Sequence, residues 1–272
     1  MLRDADRTQV DAVLDQEPVA ATFVAARVAT GGVSRWRLGA HLWGYAPEGR
    51  LESVCYSGAN LVPVSASPAA VRAYAVMARE QGRVCSSILG PADAVLDLWA
   101  DLEPDWGKAR EVRARQPLLA TATPGDVAPD PTVRRARMPD FDGVLPACVA
   151  MYTEEVGVSP LGWDGGATYR ARVAELIRAG RSYLRVDDGQ VVFKAELGAV
   201  SRHACQVQGV WVHPHWRGRG IATACVAAVV ADALRTVAPI VSLYVNDYNT
   251  AARRVYARCG FEQVGTFATV LF

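Results

Sequence analysis

The sequence predicts an α/β fold built from two similar halves. Three observations carry this expectation. Helical and strand periodicities alternate along the chain. The order of elements in the first 121 residues returns, more sharply, after residue 132. Between the two runs Thr121–Thr132, with Pro124, Gly125, Pro129 and Pro131, can sustain neither a helix nor a central strand. The expected division is therefore a first domain over residues 1–121, a linker over 122–132 and a second domain over 133–272, each within the usual size for one domain.

In the first half, helices are expected at Arg7–Gln16 and Val19–Val28, then strands at Arg37–Tyr45, Glu52–Ser57 and Ala59–Val64. A helix at Ala69–Gln81, a strand at Val84–Leu89, a helix at Ala92–Ala100 and a strand near Glu111–Leu119 complete it. The second half opens with a short strand at Val133–Arg137 and a helix at Asp142–Glu155 with Val144, Leu145, Cys148, Val149 and Tyr152 on one face. A helix from Ala167 stops near Gly180, because glycine accepts the left-handed closing conformation. Strands Ser182–Asp187 and Val191–Val200 are joined by Asp188-Gly189, a pair suited to a tight hairpin turn. A strand at Ala204–Val212 leads into a long helix over Gly220–Thr236 with a broad apolar face. Strand Ile240–Asn246, helix Asn249–Arg258 and strand Phe261–Phe272 finish the chain.

Composition removes several classes of function. Of 272 residues 51% are hydrophobic and 21% charged, enough apolar material for a packed core and too much for a disordered chain. A formal net charge of +1 gives no electrostatic footprint for nucleic acid. The longest apolar stretch, Ile221–Ala231, is too short to span a bilayer, and Asp4 and Asp6 sit where a signal peptide would be apolar. The six cysteines are scattered without a C-x-x-C pair and read as buried free thiols in a reducing compartment, so a cytoplasmic location is expected. All but Lys108 and Lys194 of the 29 basic residues are arginine.

The stretch that carries chemistry is Val210-Trp211-Val212-His213-Pro214-His215-Trp216-Arg217-Gly218-Arg219-Gly220-Ile221-Ala222. A strand ends, a short glycine loop follows, and a helix opens at once. The first helical turn has N–H groups without partners and the positive end of the dipole. Gly218 and Gly220 let the backbone wrap closely, and Arg217 and Arg219 add charge, so a phosphate or pyrophosphate is the expected guest. The loop is not a dinucleotide fingerprint, because Thr223 stands at the third glycine position. Nor is it a Walker loop, because it holds no lysine.

The segment resembles the coenzyme-A signature of the GNAT superfamily of N-acyltransferases, Arg/Gln-x-x-Gly-x-Gly/Ala, here Arg217, Gly220 and Ala222. A second motif, Asn-x-x-Ala-x-x-x-Tyr-x-x-x-Gly-Phe, is matched by Asn249, Ala252, Tyr256, Gly260 and Phe261. The resemblance implies tandem GNAT-like domains, each with a mixed, mostly antiparallel central sheet flanked by helices. It implies acetyl-CoA as acyl donor, with Val210 and Val212 pairing with the pantetheine arm through their backbones. Arg217, Gly218, Arg219, Gly220, Ile221 and Ala222 would hold the pyrophosphate, Asn249 and Ala252 would lie near the cofactor arm, and Tyr256 would protonate the departing thiolate. The implied reaction is direct attack of a primary amine, from a small molecule or a protein N-terminus, on the thioester. The other reading is an acyl-CoA sensor or scaffold without turnover.

The sequence departs from the family where many members carry a glutamate, on the strand ending at Val212. Gln206 and Gln208 stand there, able to order a water but not to take a proton. The nearest acid is Glu196 on the preceding strand, a base or a structural partner of Lys194 or an arginine. His203, Asp247 and the carboxylate of Phe272 are weaker candidates. The pairs His203-x-Cys205 and His213-x-His215 match no standard zinc spacing, and no metal is expected. Trp163, Trp211, Trp216 and Tyr183 could line an acceptor pocket or simply pack. In the first half Val64-Ser-Ala-Ser-Pro68 stands where the phosphate loop would be, without glycine or arginine. That half is expected to be a degenerate copy that shapes the acceptor cleft or a dimer contact, with His41, Trp43, Tyr45 and Trp36 as residues that could reach the cleft or pack in their own sheet.

Overall fold

The computed structural model describes residues 1–162 and 164–272. The first half contains α1 (Arg7–Leu14), α2 (Thr22–Gly31), α3 (Arg35–Leu38), β1 (His41–Tyr45), β2 (Ser53–Ser57), β3 (Asn60–Val64), α4 (Pro68–Gln81), β4 (Ser87–Pro91), α5 (Ala92–Trp106) and β5 (Glu111–Thr121). The second contains β6 (Arg134–Arg135), α6 (Phe141–Val156), α7 (Ala167–Arg178), β7 (Ser182–Asp187), β8 (Gln190–Val200), β9 (Cys205–Val212), α8 (Ile221–Thr236), β10 (Val241–Tyr244), α9 (Thr250–Arg258) and β11 (Glu262–Leu271). The expected order is present throughout. The largest differences are in the first half, where residues 35–38 turn as a short helix instead of beginning β1. There α5 also runs on to Trp106 through Pro104.

The two halves share one connectivity. In the first, β1 pairs with β2 and β2 with β3 antiparallel, and β3 pairs with β4 in parallel across α4. In the second, β7–β8 and β8–β9 are antiparallel, and β9 pairs with β10 in parallel across α8. Asp188 and Gly189, both at positive φ, close the β7–β8 hairpin in the tight turn read from the sequence. Each parallel pair holds briefly: Asn60↔Ser87 and Leu61↔Ile88 in one half, Val241↔Cys205 and Ser242↔Gln206 in the other. Beyond those residues the strands part.

The halves are not separate sheets, as two sequence-delimited domains would suggest. One sheet runs β1-β2-β3-β4-β11-β5-β10-β9-β8-β7-β6. The last strand of each half lies inside the other half's territory: β11 between β4 and β5, and β5 between β11 and β10. The core follows the exchange. Ala268 and Val270 of β11 pack with Leu98, Trp99 and Ile88 of the first half, and Leu119 of β5 packs with Val207, Val241 and Leu243 of the second. Helices α8 and α9 cover one face of the second half, and α6 and α7 cover the other. The 122–132 segment is a strap against α8 and α9. Gly125 N donates to Cys259 O at 3.2 Å, Asp130 N donates to Ala224 O at 3.0 Å, and a Cβ at Gly125 would sit 2.6 Å from the Cys259 carbonyl carbon.

A fragment of residues 133–272 would lose β5, leaving β10 and β11 without the strand between them and exposing apolar core. The expected outcome is no cooperative thermal transition for the fragment alone, and recovery of one on co-expression with residues 1–132. A cooperative melt from the isolated fragment would contradict the exchanged architecture.

Candidate active site

The site grows from the parting of β9 and β10. Alternation along β9 puts Cys205 and Val207 on the α8 side, yet Val210 and Val212 also face that side. The change of parity comes from a bulge: β8 advances two residues from Lys194 to Glu196 while β9 covers three, from Trp211 to Gln208. Gly209 sits in it with φ of 58°. Past the bulge His213 N donates to Val192 O, toward β8. By alternation Val210 and Val212 then aim their backbone groups into the gap that β10 leaves. The Val212 carbonyl accepts from Arg217 Nε at 2.9 Å, so on that residue the N–H is the group left for a ligand.

After β9 one turn of 3-10 helix, Pro214–Trp216, leads to Gly218 and Gly220, at φ of 74° and 77°, and so into α8. Among the described residues the N–H groups of Gly218, Arg219, Gly220, Ile221 and Ala222 have no hydrogen-bond partner, and no side chain caps α8. A Cβ on either glycine would meet nothing within 4 Å. The amides therefore surround open space at a helix N-terminus, a fit for the pyrophosphate of coenzyme A. In the first half the corresponding helix is closed by its own chain, with Ser67 Oγ accepting from Ala70 N.

The two loop arginines are placed differently. Arg217 is held by Glu154 of α6 at 2.7 Å, and Glu154 also accepts from Trp211 Nε1 at 3.1 Å. Arg219 lies over the Trp216 ring at 5.3 Å and has no ion-pair partner among the described residues, so its charge is free for an anion. Tyr256 of α9, in one core cluster with Val207 of β9 and Val241 of β10, is 7% exposed, and its hydroxyl has no hydrogen-bond partner among the described residues. Burial pushes this phenol above its ordinary range, aided by the negative charge of Glu155, so it keeps its proton. Asn249 is exposed and caps α9, its Oδ1 accepting from Ala252 N at 3.1 Å. Its side-chain oxygen is thus engaged in holding the helix that carries Tyr256.

Known proteins resemble the chain in sequence over two segments and in fold over its whole length. Residues 150–261 match the model of the Acetyltransferase (GNAT) family. Those residues form a GNAT acetyltransferase domain. Residues 40–144 match a family described as a domain of unknown function, DUF4081. Among curated proteins no sequence matches the chain. Solved structures share its whole fold. An acetyltransferase from the GNAT family of Colwellia psychrerythraea is 13% identical with a TM-score of 0.59, covering 100% of this chain and 98% of its own. A GCN5-related N-acetyltransferase from Kribbella flavida is 19% identical with a TM-score of 0.53, covering 92% and 95%. A tandem GNAT protein from the clavulanic acid biosynthesis pathway is 16% identical with a TM-score of 0.52, covering 99% and 97%.

On the other face of the GNAT sheet, Gln206 is buried and Gln208 packs over Gly198. Glu196 is 7% exposed and pairs with Lys194, which is fully buried. This is the structural partner named from the sequence, and it leaves Glu196 Oε2 beside the bulge, 3.4 Å from where a Cβ on Gly209 would lie. The weaker base candidates lie elsewhere. His203 pairs with Asp15, which caps the C-terminus of α1, at 3.0 Å, beyond the far end of β9. Asp247 lies 3.8 Å from Arg115. Phe272 packs between Trp99 and Trp106 of the first half, because β11 carries it there.

The aromatics divide between the two readings. Tyr183 is 1% exposed and donates to Asp232 at 2.9 Å, so it packs against α8, where it lines a cavity with Arg135, Ala228 and Asp232. Trp211 is buried against α6, Trp216 is half-buried in the loop, and Trp163 lies outside the described residues. His213 accepts from His215 N at 3.3 Å, which accounts for that pair within the loop. In the first half Trp43 is buried against Tyr74, Tyr45 packs on the α4–α5 core, His41 is half-buried and Trp36 is 91% exposed.

Sequence reasoning missed the carboxylates of α6. Glu154 holds Arg217 of the glycine loop, and Glu155 takes Arg113 of the exchanged strand at 3.0 Å. Nothing in Tyr-Thr-Glu-Glu-Val marks them. The bulge did have a signal, a lone glycine inside a strand pattern at Gly209. Substituting Gly209→Ala places a side chain in the left-handed region, at a cost of about 1–2 kcal/mol. The new Cβ would also press on Lys194 Nζ and Met151 Cε, each 3.0 Å away. The expected outcome in denaturant unfolding is a loss of at least that size, and a variant as stable as the parent would contradict the bulge.

Proposed function

We propose that the protein is an acyl-CoA-dependent N-acetyltransferase that moves an acetyl group from acetyl-CoA to a primary amine by direct attack in a ternary complex. The observation that carries this reading is the run of unpartnered amides from Gly218 to Ala222, continuous with the gap between β9 and β10, with Tyr256 in the same core cluster as Val207 of β9 and Val241 of β10. Bound acetyl-CoA supplies a thioester carbonyl carbon, to which the amine nitrogen bonds as the C–S bond breaks.

The chain's residues divide the remaining work. The Gly218–Ala222 amides and Arg219 bind the pyrophosphate. Val210 and Val212 pair through their N–H groups with the pantetheine arm as an added strand would. An N–H aimed into the gap past the bulge donates to the thioester oxygen as it gains charge. Tyr256, protonated through the neutral range, gives its proton to the departing sulfur. Glu196 takes the proton that the amine nitrogen loses, through a water that Gln206 helps to order. Asn249 and Ala252 set the position of Tyr256 through the cap of α9.

A covalent acyl-enzyme route would need a thiolate. All six cysteines are buried. Burial pushes the thiols nearest the site, Cys148 and Cys225, up to about 12, and Cys259 up to about 11. None is a nucleophile at neutral pH, which favours direct transfer. The acceptor is a small-molecule amine or a protein N-terminus. Among the described residues no helix is long and apolar enough to cross a membrane, and we place the reaction in the cytoplasm.

Release of CoA thiol from acetyl-CoA over a panel of small amines and N-terminal peptides tests the reading, with Tyr256→Phe alongside. Turnover with at least one amine, and a loss of about 10²-fold in Tyr256→Phe, is expected. Unchanged rates in Tyr256→Phe would remove its role. Saturable acetyl-CoA binding without turnover on any amine would favour the acyl-CoA sensor.

A further inference from the structure

Beneath the β9 bulge lies a charged cluster that the cofactor loop and Tyr256 do not use. Lys194 and Glu196 stand on one face of β8, and Cys148 of α6 packs on both. Lys194 and Cys148 are fully buried and Glu196 is 7% exposed. Lys194 Nζ donates to Glu196 Oε1 and, at 3.4 Å, to Cys148 Sγ. Cys148 Sγ in turn donates to the same Oε1 at 3.5 Å.

The pairing is one-sided. Both donors fall on Oε1, while Oε2 accepts from no described residue and faces Gly209, where β9 turns its next backbone groups into the gap. A lone carboxylate buried this far would take up a proton and cease to be a base. The ammonium of Lys194 opposes that. Burial draws its own pKa down, but Glu196 and Cys148 outweigh burial and the net shift is upward, so Lys194 stays charged.

The other groups around Glu196 bring no second cation. Ser182 of β7 and Gln208 of β9 are its register partners. From α7, Tyr169 donates to the Cys148 carbonyl at 2.9 Å and stacks edge-on against Tyr152 of α6. Arg172 of α7 is taken by Glu175 and the Gly198 carbonyl.

We propose that Lys194, backed by Cys148, is a positioning residue that holds Glu196 ionised and turns its free oxygen Oε2 toward the acceptor amine at the bulge. This rests on the reading of Glu196 as the base and adds how that base is kept competent. The proton leaves the amine nitrogen, passes through one water and ends on Oε2, while Oε1 stays with Lys194.

The test uses the full chain with ¹³C-carboxyl-labelled glutamate, the Glu196 signal being assigned by its loss in Glu196→Gln. Lys194→Met is expected to move the Glu196 titration upward by at least about one pH unit. The acid limb of kcat/KM, measured by thiol release from acetyl-CoA with the best amine of the panel, should move with it. Cys148→Ala, which keeps the charge pair, should move both in the same direction by less, and it serves if Lys194→Met does not fold. Glu196→Gln should lose about 10²-fold in kcat/KM. An unmoved Glu196 titration in the folded variants would overturn the role of Lys194 while leaving the base in place. Full activity in Glu196→Gln, or an acid limb that ignores a shifted Glu196, would overturn the base itself.

Discussion

Two strands that begin paired and then part are the constraint on which the site depends. Backbone N–H and C=O groups in a sheet are ordinarily satisfied by a neighbouring strand, and β9 loses its parallel neighbour after Val241↔Cys205 and Ser242↔Gln206. The groups past Gly209 are left facing a gap, and the loop that follows leaves a further run of amides open at the start of α8. A ligand with an extended amide-bearing arm and a pyrophosphate is the complement of that pattern. The first half shows how little separates such a site from a closed one. It has the same brief parallel pair, but Ser67 caps the helix that follows it.

The gap persists because the sheet is completed elsewhere. Strand β5 fills the position beside β10 that the second half's own last strand does not take, and β11 does the same beside β4. The exchange makes each half's core depend on the other. It also brings Arg113 of the first half onto Glu155 of α6, at the end of the helix whose Glu154 holds Arg217. The first half thus reaches the site through structure, whatever else it does.

Much of this was legible in the sequence because it rests on local chemistry. Periodicity marks the helices and strands, Asp188-Gly189 fixes a hairpin, and the spacing of Arg217, Gly220 and Ala222 marks a glycine turn with open amides at the start of α8. The strand exchange was not legible, since the apolar patterns of β5 and β11 suit a central strand in either half and pairing partners are set by tertiary packing. Glu154 and Glu155 gave no signal because their partners lie far off in sequence. Glu196 was legible as an oddity, an acid in an apolar run beside a rare lysine. Only coordinates show that its pairing engages one oxygen and leaves the other at the bulge.

On the proposed function, the amides from Gly218 to Ala222 and the edge of β9 past the bulge hold acetyl-CoA. Titrating ¹⁵N-labelled protein with acetyl-CoA and following the backbone amides tests it most directly. Saturable shifts are expected at Gly218, Arg219, Gly220, Ile221 and Ala222, joined by Val210 and Val212 at the same ligand concentration. Saturable binding that leaves those amides unmoved, with shifts confined to the first half around Ser65–Ala70, would contradict it.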